Sequence, residues 1–315
     1  MTPVVSLYKQ AYSGLSRATW LLSVVMLVNR SGTMVIPFMT IYLTSPAMGY
    51  SIAQAGLVMG IFGLGAVCGG FIGGRLTDRW GFHRVQLMAL TGGGICFLVL
   101  GQVRSYPLIC GCTFVLSVVN DAFRPANSTA IAAYSKEENR TRSYSLNRLA
   151  INLGWAVGGA VGGFLASINY HLLFWVDGGT NLAAALMLRL FLRPEANGLA
   201  HAERQREEGP VASPYRDRAY QQFILGTVLF ASCFFQIFTT LPLFYKRGMG
   251  MPEYMIGLLM TLNGLIIAAI EMVMVFRLEG KRENLYYISY GVLAVGISYV
   301  LLDALPLTLI VAFLA

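Results

Sequence analysis

The chain has 315 residues, of which 56% are hydrophobic and only 12% charged. An average soluble domain carries roughly twice that charged fraction, so the composition argues against a water-soluble fold. The net charge of +8 invites a nucleic-acid partner, but the placement of the basic residues gives it a different origin.

The apolar residues fall into long runs, and about 20 such residues are what an α-helix needs to cross a bilayer core. In chain order the runs predict membrane helices at 19–43, 52–74, 85–103, 106–133, 145–168, 172–192, 219–243, 254–276 and 285–302. A tenth run begins at Pro306 and stops at Ala315, which predicts a chain cut within its tenth helix. The stretch from Leu7 to Trp20 mixes Lys9, Gln10 and Arg17 with Leu and Tyr, and suits a short helix at the headgroup level. The first run is too long for a signal peptide and contains Asn29 and Arg30, so it is predicted to remain as helix one.

With the amino terminus in the cytoplasm, the inside loops hold Arg75, Arg79, Arg84, Lys136, Arg140, Arg142, Arg193, Arg204, Arg206, Arg216, Arg218, Arg277, Lys281 and Arg282. The outside loops hold only Arg104, Lys246 and Arg247. That bias sets the orientation and accounts for the positive charge, so no nucleic-acid partner is expected.

Residues 193–218 are rich in Glu, Arg, Gly and Pro and read as a solvated cytoplasmic linker. They separate a bundle over 1–192 from an incomplete one over 219–315. Transporters are commonly built from repeated bundles with a central substrate site, and a six-plus-six plan needs as many helices after the linker as before it.

Polar and ionisable residues inside the spans are costly and mark functional candidates. The first span carries Asn29, Arg30, Thr33 and Pro37. In the fourth, Asn120, Arg124 and Asn127 form a stripe, and Asp121 lies three residues before Arg124, close enough to pair. Pro125 removes a backbone donor and is expected to kink that helix. Ser145, Arg148 and Asn152 share a face of the fifth span, where Arg148 has the alternative of snorkelling to the surface. Asp177 and Asn181 lie four apart in the sixth. Gln236 and Thr239 stand beside Phe234 and Phe235 in the seventh, and Asn263 precedes Glu271 by two turns in the eighth. Arg30, Asp121, Arg124 and Glu271 are the candidates for proton coupling. Asn29, Asn120, Asn127, Asn152, Gln236 and Asn263 are the candidates for lining a cavity.

Between the second and third spans the chain reads Gly74-Arg75-Leu76-Thr77-Asp78-Arg79-Trp80-Gly81-Phe82-His83-Arg84. A carboxylate next to a base in so short a loop can lock two helix ends together. The fifth span reads Gly154-Trp-Ala-Val-Gly158-Gly159-Ala-Val-Gly162-Gly163. Glycines four apart let a second helix approach closely, and by itself this stripe, like the one in the second span, is packing.

These motifs carry a resemblance. The loop resembles the major facilitator superfamily signature Gly-x-Leu-x-Asp-Arg-x-Gly-Arg-Arg at Gly74, Leu76, Asp78, Arg79 and Gly81; Phe82 and His83 replace the two usual basic residues, with Arg84 adjacent. The fifth-span glycines are similar to the superfamily's antiporter motif, with Gly159 at its proline position, and Arg124 resembles its buried fourth-span arginine. The resemblance implies an all-α fold of two six-helix bundles that works by alternating access. It further implies a monomer in the cell's inner membrane that takes a small-molecule substrate and protons, close to the bacterial drug:proton antiporters. A facilitator or symporter of an ordinary metabolite is the alternative, since fold does not decide substrate. An enzyme finds no support: the sequence has no His-Glu-x-x-His, Gly-x-Ser-x-Gly or phosphate loop. No cofactor or metal is expected, because the five cysteines lie within spans, the three histidines are far apart, and Cys-x-x-Cys is missing.

Overall fold

A computed structural model of the protein describes residues 14–192, 217–278 and 284–304, without the side chains of 271–273, 275–278, 284 and 302–304. Every regular element among the described residues is helical. The first predicted span is two helices, α1 (Arg17–Ser31) and α2 (Val35–Leu43), followed by α3 (Ile52–Trp80) and α4 (Phe82–Leu100). The fourth span is α5 (Tyr106–Asp121) and α6 (Phe123–Tyr134). The fifth and sixth are α7 (Arg140–Ile168) and α8 (His171–Phe191). Past residue 217 come α9 (Arg218–Phe234), a 3₁₀ turn (Phe235–Phe238), α10 (Thr240–Arg247), α11 (Glu253–Leu278) and α12 (Asn284–Ala304). Seven stretches among the described residues are long and apolar enough to cross a membrane; α8 and α12 add two helices of 21 residues each. The tenth run, the headgroup-level helix and the linker lie outside the described residues, apart from Gly14 to Trp20 and from Asp217 and Arg218 at the two edges.

The three interrupted spans break for one reason. A proline at position i leaves the carbonyl of residue i−4 without its helical donor and presses on it. Pro37, Pro125 and Pro242 therefore act at Thr33, Asp121 and Phe238, and the helices part at 32–34, at Ala122 and at 235–239. Where a loop is expected after the second span, α3 instead runs on to Trp80. Gly81, at φ +81°, makes the whole turn into α4. Only glycine adopts that conformation without strain, which fits its place in the motif.

Two apolar cores define the two ends of the molecule. The distal end carries residues 44–51, 101–105, 169–170 and 248–252; the proximal end carries Gly14, Gly81, 135–139 and Leu192. The distal core takes Phe38, Tyr42 and Phe174 from the first half and Leu241, Tyr245 and Ile256 from the second. Among the described residues the proximal core is drawn from the first half, with Leu22, Phe82, Ile131 and Leu188.

Candidate functional site

The site is the cleft between the halves, and α7 shapes it by presenting glycine on two faces. On one face Gly154, Gly158 and Gly162 receive Arg30, Ser31 and Met34 of the first span. On the other, Gly159 and Gly163 lie against Gly257 of α11 so closely that a Cβ on Gly257 would stand 2.3 Å from the Gly159 carbonyl oxygen. Thr261 Oγ1 donates to the Ala156 carbonyl at 2.8 Å. This contact continues to Gly264, which rests on Asn152 and Ala156. A second glycine ridge, Gly65, Gly69 and Gly73 on α3, packs on Ser117, Val118 and Ala122 of the fourth span, whereas Gly56 and Gly60 meet nothing.

Inside the first bundle a polar rung joins the first and sixth spans. Asn29 Nδ2 donates to Asn181 Oδ1 at 2.9 Å, and Asn181 Nδ2 donates to the Asp177 carbonyl at 2.8 Å. The Asp177 carboxylate, fully buried, accepts the backbone N–H groups of Met34 at 3.0 Å and Val35 at 2.8 Å. It thus caps the start of α2 from another helix, satisfying donors that a helix start leaves orphaned. Asp177 is the structural residue that the site candidates omitted, and its signal was a carboxylate within an apolar run. Asn29 and Asn127, expected to line a cavity, are packed in the bundle instead. The rung holds Asn29, and Asn127 is buried against Gln86, whose Nε2 donates to its Oδ1 at 3.2 Å.

The fourth-span pair does form: Arg124 Nε lies 2.5 Å from Asp121 Oδ1, with the Asp side chain 5% exposed and the Arg side chain 65% exposed. Asp121 is thus rooted in the bundle while the Arg124 side chain is largely exposed. Arg30 is near enough to both to feel their charges, and its buried Nε has no hydrogen-bond partner. One turn past Arg124, the Ser128 carbonyl accepts from Tyr144 Oη of α7 at 3.0 Å. Asn152 is half-buried, as is Trp155, whose ring meets Phe238 across the cleft with centroids 4.8 Å apart. Asn120 is half-buried and close to Gly93, and Asn263 is half-exposed on α11. Gln236, in the broken seventh span, is exposed and donates to the Ser232 carbonyl at 3.1 Å. The backbone of Glu271 belongs to α11, but its side chain lies outside the described residues.

Beyond the cleft the distal end is closed by contacts between the halves. Glu253 Oε1 receives Tyr170 Oη at 2.6 Å and Lys246 Nζ at 2.8 Å. Arg247 donates to the Thr44 carbonyl at 2.9 Å, and Thr40 Oγ1 to that of Thr239 at 3.2 Å. Burial, reinforced by the bond to Glu253, raises the Tyr170 phenol well above its ordinary range, so it stays a neutral donor. At the proximal end Asp78 occupies the last turn of α3, exposed, as are Arg79 and Arg84, and it forms no ion pair among the described residues. Gly74 meets nothing.

This arrangement, two helical halves joined by a glycine contact, is matched by sequence. The profile of the Major Facilitator Superfamily matches residues 19–315. The chain belongs to that superfamily. It is 23% identical to the uncharacterized MFS-type transporter YqjV of Bacillus subtilis (strain 168), over 80% of this chain and 63% of the relative. It is 24% identical to the multidrug resistance protein MdtH of Proteus mirabilis (strain HI4320), over 80% and 64%, and 24% identical to the Na(+), Li(+), K(+)/H(+) antiporter of Planococcus maritimus, over 86% and 70%. Of the first two relatives it matches, the chain spans 63% and 55% of the length. A crystal structure of a mutant of the peptide transporter POT in complex with alafosfalin superposes with a TM-score of 0.70 at 16% identity, over 92% of this chain and 74% of that one. The fold is therefore that of the superfamily, and the chain is a multi-pass membrane protein.

Proposed function

We propose that this major facilitator protein is a secondary transporter working by alternating access, which exports small amphiphilic compounds in exchange for protons. The observation that carries the reading is the Asp121–Arg124 pair, one partner buried at a helix break and the other exposed. A buried carboxylate that loses its cation is left as an uncompensated charge, and taking up a proton relieves it. Export against proton entry requires the substrate-loaded carrier to turn over with Asp121 ionised on Arg124, and the empty carrier to return with Asp121 protonated. Glu271 is the second carboxylate proposed for this role. The relatives named for multidrug resistance and cation/proton antiport support it.

With the basic proximal end in the cytoplasm of a bacterial inner membrane, the amino terminus is inside and the cleft is open inward. The protein works as a monomer in this reading. The test is the full-length protein in proteoliposomes under an imposed pH gradient, comparing wild type with Asp121→Asn and Glu271→Gln. A coupling residue loses gradient-driven accumulation and keeps downhill exchange. If both variants accumulate substrate at wild-type levels, the assignment fails; if wild type ignores the gradient, the protein is a facilitator.

A further inference from the structure

One face of α3 differs from its neighbours. Leu57, Leu64, Cys68, Phe71, Arg75 and Arg79 follow one another at steps of seven, four, three, four and four residues, so all six fall within an arc of about 80° on the helix. All are exposed, Leu64 by 66% and Phe71 by 62%. On one side the strip is bordered by Gly65, Gly69 and Gly73, which pack on the fourth span. On the other stand Gly60, Gly63, Gly70 and Gly74, which meet nothing among the described residues. At the proximal end of the strip the Arg75 guanidinium lies over the Phe71 ring, 4.1 Å from its centroid. Neither Arg75 nor Arg79 has an ion-pair partner among the described residues. Asp78, the only carboxylate of α3, lies about 60° off the strip on the open glycine side and pairs with neither.

We infer that this strip binds one anionic phospholipid of the proximal leaflet, with an acyl chain along Leu64, Cys68 and Phe71 and the phosphate on Arg75 and Arg79. The length fits: Leu64 to Arg75 spans about 16 Å of helix axis, and half of a bilayer's hydrocarbon core is about 15 Å. A guanidinium lying face-down on a ring keeps its N–H donors in the plane, free for phosphate oxygens. The occupant is a lipid rather than another helix because of side-chain size. Open glycines admit a second backbone, whereas a row of Leu, Phe and Arg holds one off and is filled best by a flexible chain. Two unpaired cations complement a headgroup of net negative charge, and a zwitterionic lipid brings the same phosphate with its own cation attached. With the proximal end in the cytoplasm, as proposed above, this leaflet is the one that carries anionic lipid. The binding itself rests only on the chain being a multi-pass membrane protein, not on transport or proton coupling.

Native mass spectrometry of the purified full-length protein in detergent tests it with three probes: dioleoylphosphatidylglycerol, dioleoylphosphatidylcholine with the same chains, and glycerol 1-phosphate, which has the phosphate without a chain. Detergent solution has no leaflets and no gradient, so the result is independent of orientation and of coupling. We expect the glycerol lipid to bind at least about tenfold more tightly than the choline lipid, and glycerol 1-phosphate not to displace it. Arg75→Gln and Arg79→Gln should each weaken the glycerol lipid about fivefold and leave the choline lipid unchanged. Phe71→Leu keeps an apolar strip without the ring and should weaken the glycerol lipid about threefold. Arg189→Gln removes an exposed charge at the proximal end of α8 and should change nothing. Equal binding of the two lipids by wild type would overturn the inference, and that comparison needs no variant to fold. Displacement by glycerol 1-phosphate at equal concentration would make this a site for soluble phosphate and overturn it too. A loss in Arg189→Gln as large as in Arg75→Gln would reduce these arginines to setting orientation. A lipid preference untouched by Arg75→Gln and Arg79→Gln combined would mean that protein, not lipid, covers the strip.

Discussion

The two ends of the molecule use the same helices and differ in what joins the halves. At the distal end the joint is an apolar core drawn from both halves, the Gly257 contact with Gly159 and Gly163, and the Tyr170–Glu253–Lys246 cluster. At the proximal end the apolar core among the described residues belongs to the first half, and Asp78, Arg79 and Arg84 are exposed, with no ion pair to the second half among those residues. Non-directional apolar contact and glycine backbone contact cost little to part and reform, whereas the first bundle is fixed by a buried carboxylate on backbone donors. The fixed contacts lie within the first half, and the interface between halves is what the proposed alternating access would have to part.

Removing the fixed part should have the largest effect. Asp177→Ala leaves the Met34 and Val35 N–H groups buried without an acceptor, at about 1–3 kcal/mol each. Because α2 is the first half's share of the distal core, both thermal stability and distal closure should fall. The thermal unfolding midpoint of purified protein checks this, and a midpoint within a degree of wild type would remove the cap from the argument.

Next in size is the movable contact. Gly257→Leu drives a side chain into the Gly159 backbone, and overpacking of this kind costs about 1–3 kcal/mol. Here the cost falls on the closed distal state, so its population should drop by about ten- to a hundredfold. Gly60→Leu, where a Cβ meets nothing, is the control and should behave as wild type. The readout is maleimide labelling of Leu241→Cys, which sits in the distal core, in a background lacking the five native cysteines. Equal labelling of both variants would mean that the glycine contact does not govern closure.

A smaller effect belongs to Tyr170→Phe, which removes the hydrogen bond of this cluster that crosses between the halves and leaves the Lys246–Glu253 pair, internal to the second half, in place. Such a bond is worth about 1 kcal/mol, so labelling of the same cysteine should rise about fivefold. Glu253→Gln, which keeps an acceptor for Tyr170, should do less; the reverse order would make the charge on Glu253, not the phenol, the principal tie.

How far the residues announced this divides along local and non-local lines. The Asp121–Arg124 pair is three residues apart on one helix, and the proline breaks follow from a missing donor four residues back, so both were legible. The fifth-span glycines were legible as a packing groove. That they serve two partners on two faces was not, because the second partner, Gly257, lies about a hundred residues later. Asn127 lies three residues past Arg124 on the same helix and meets Gln86, a partner 41 residues away that the stripe does not reveal. Asp177 with Met34, and Tyr170 with Glu253, join residues 143 and 83 apart, which no periodicity connects.

The smallest effect on the folded protein, and the most telling about mechanism, is expected of Asp78→Asn. Asp78 is exposed at the proximal end and forms no ion pair among the described residues, so its neutralisation should change stability by no more than about 0.5 kcal/mol. A charge that holds nothing here can still hold something once the proximal end closes, where a carboxylate next to Arg79 in the last turn of α3 could meet a cation or a helix start of the second half. Asp78→Asn should therefore insert and unfold like wild type and transport several-fold more slowly, with proximal-end cysteines labelling more readily because the closed proximal state is less populated. Transport at the wild-type rate would show that the Gly74–Arg84 motif locks neither state, and slow transport with unchanged labelling would place its effect on the rate of exchange between the two states rather than on their populations.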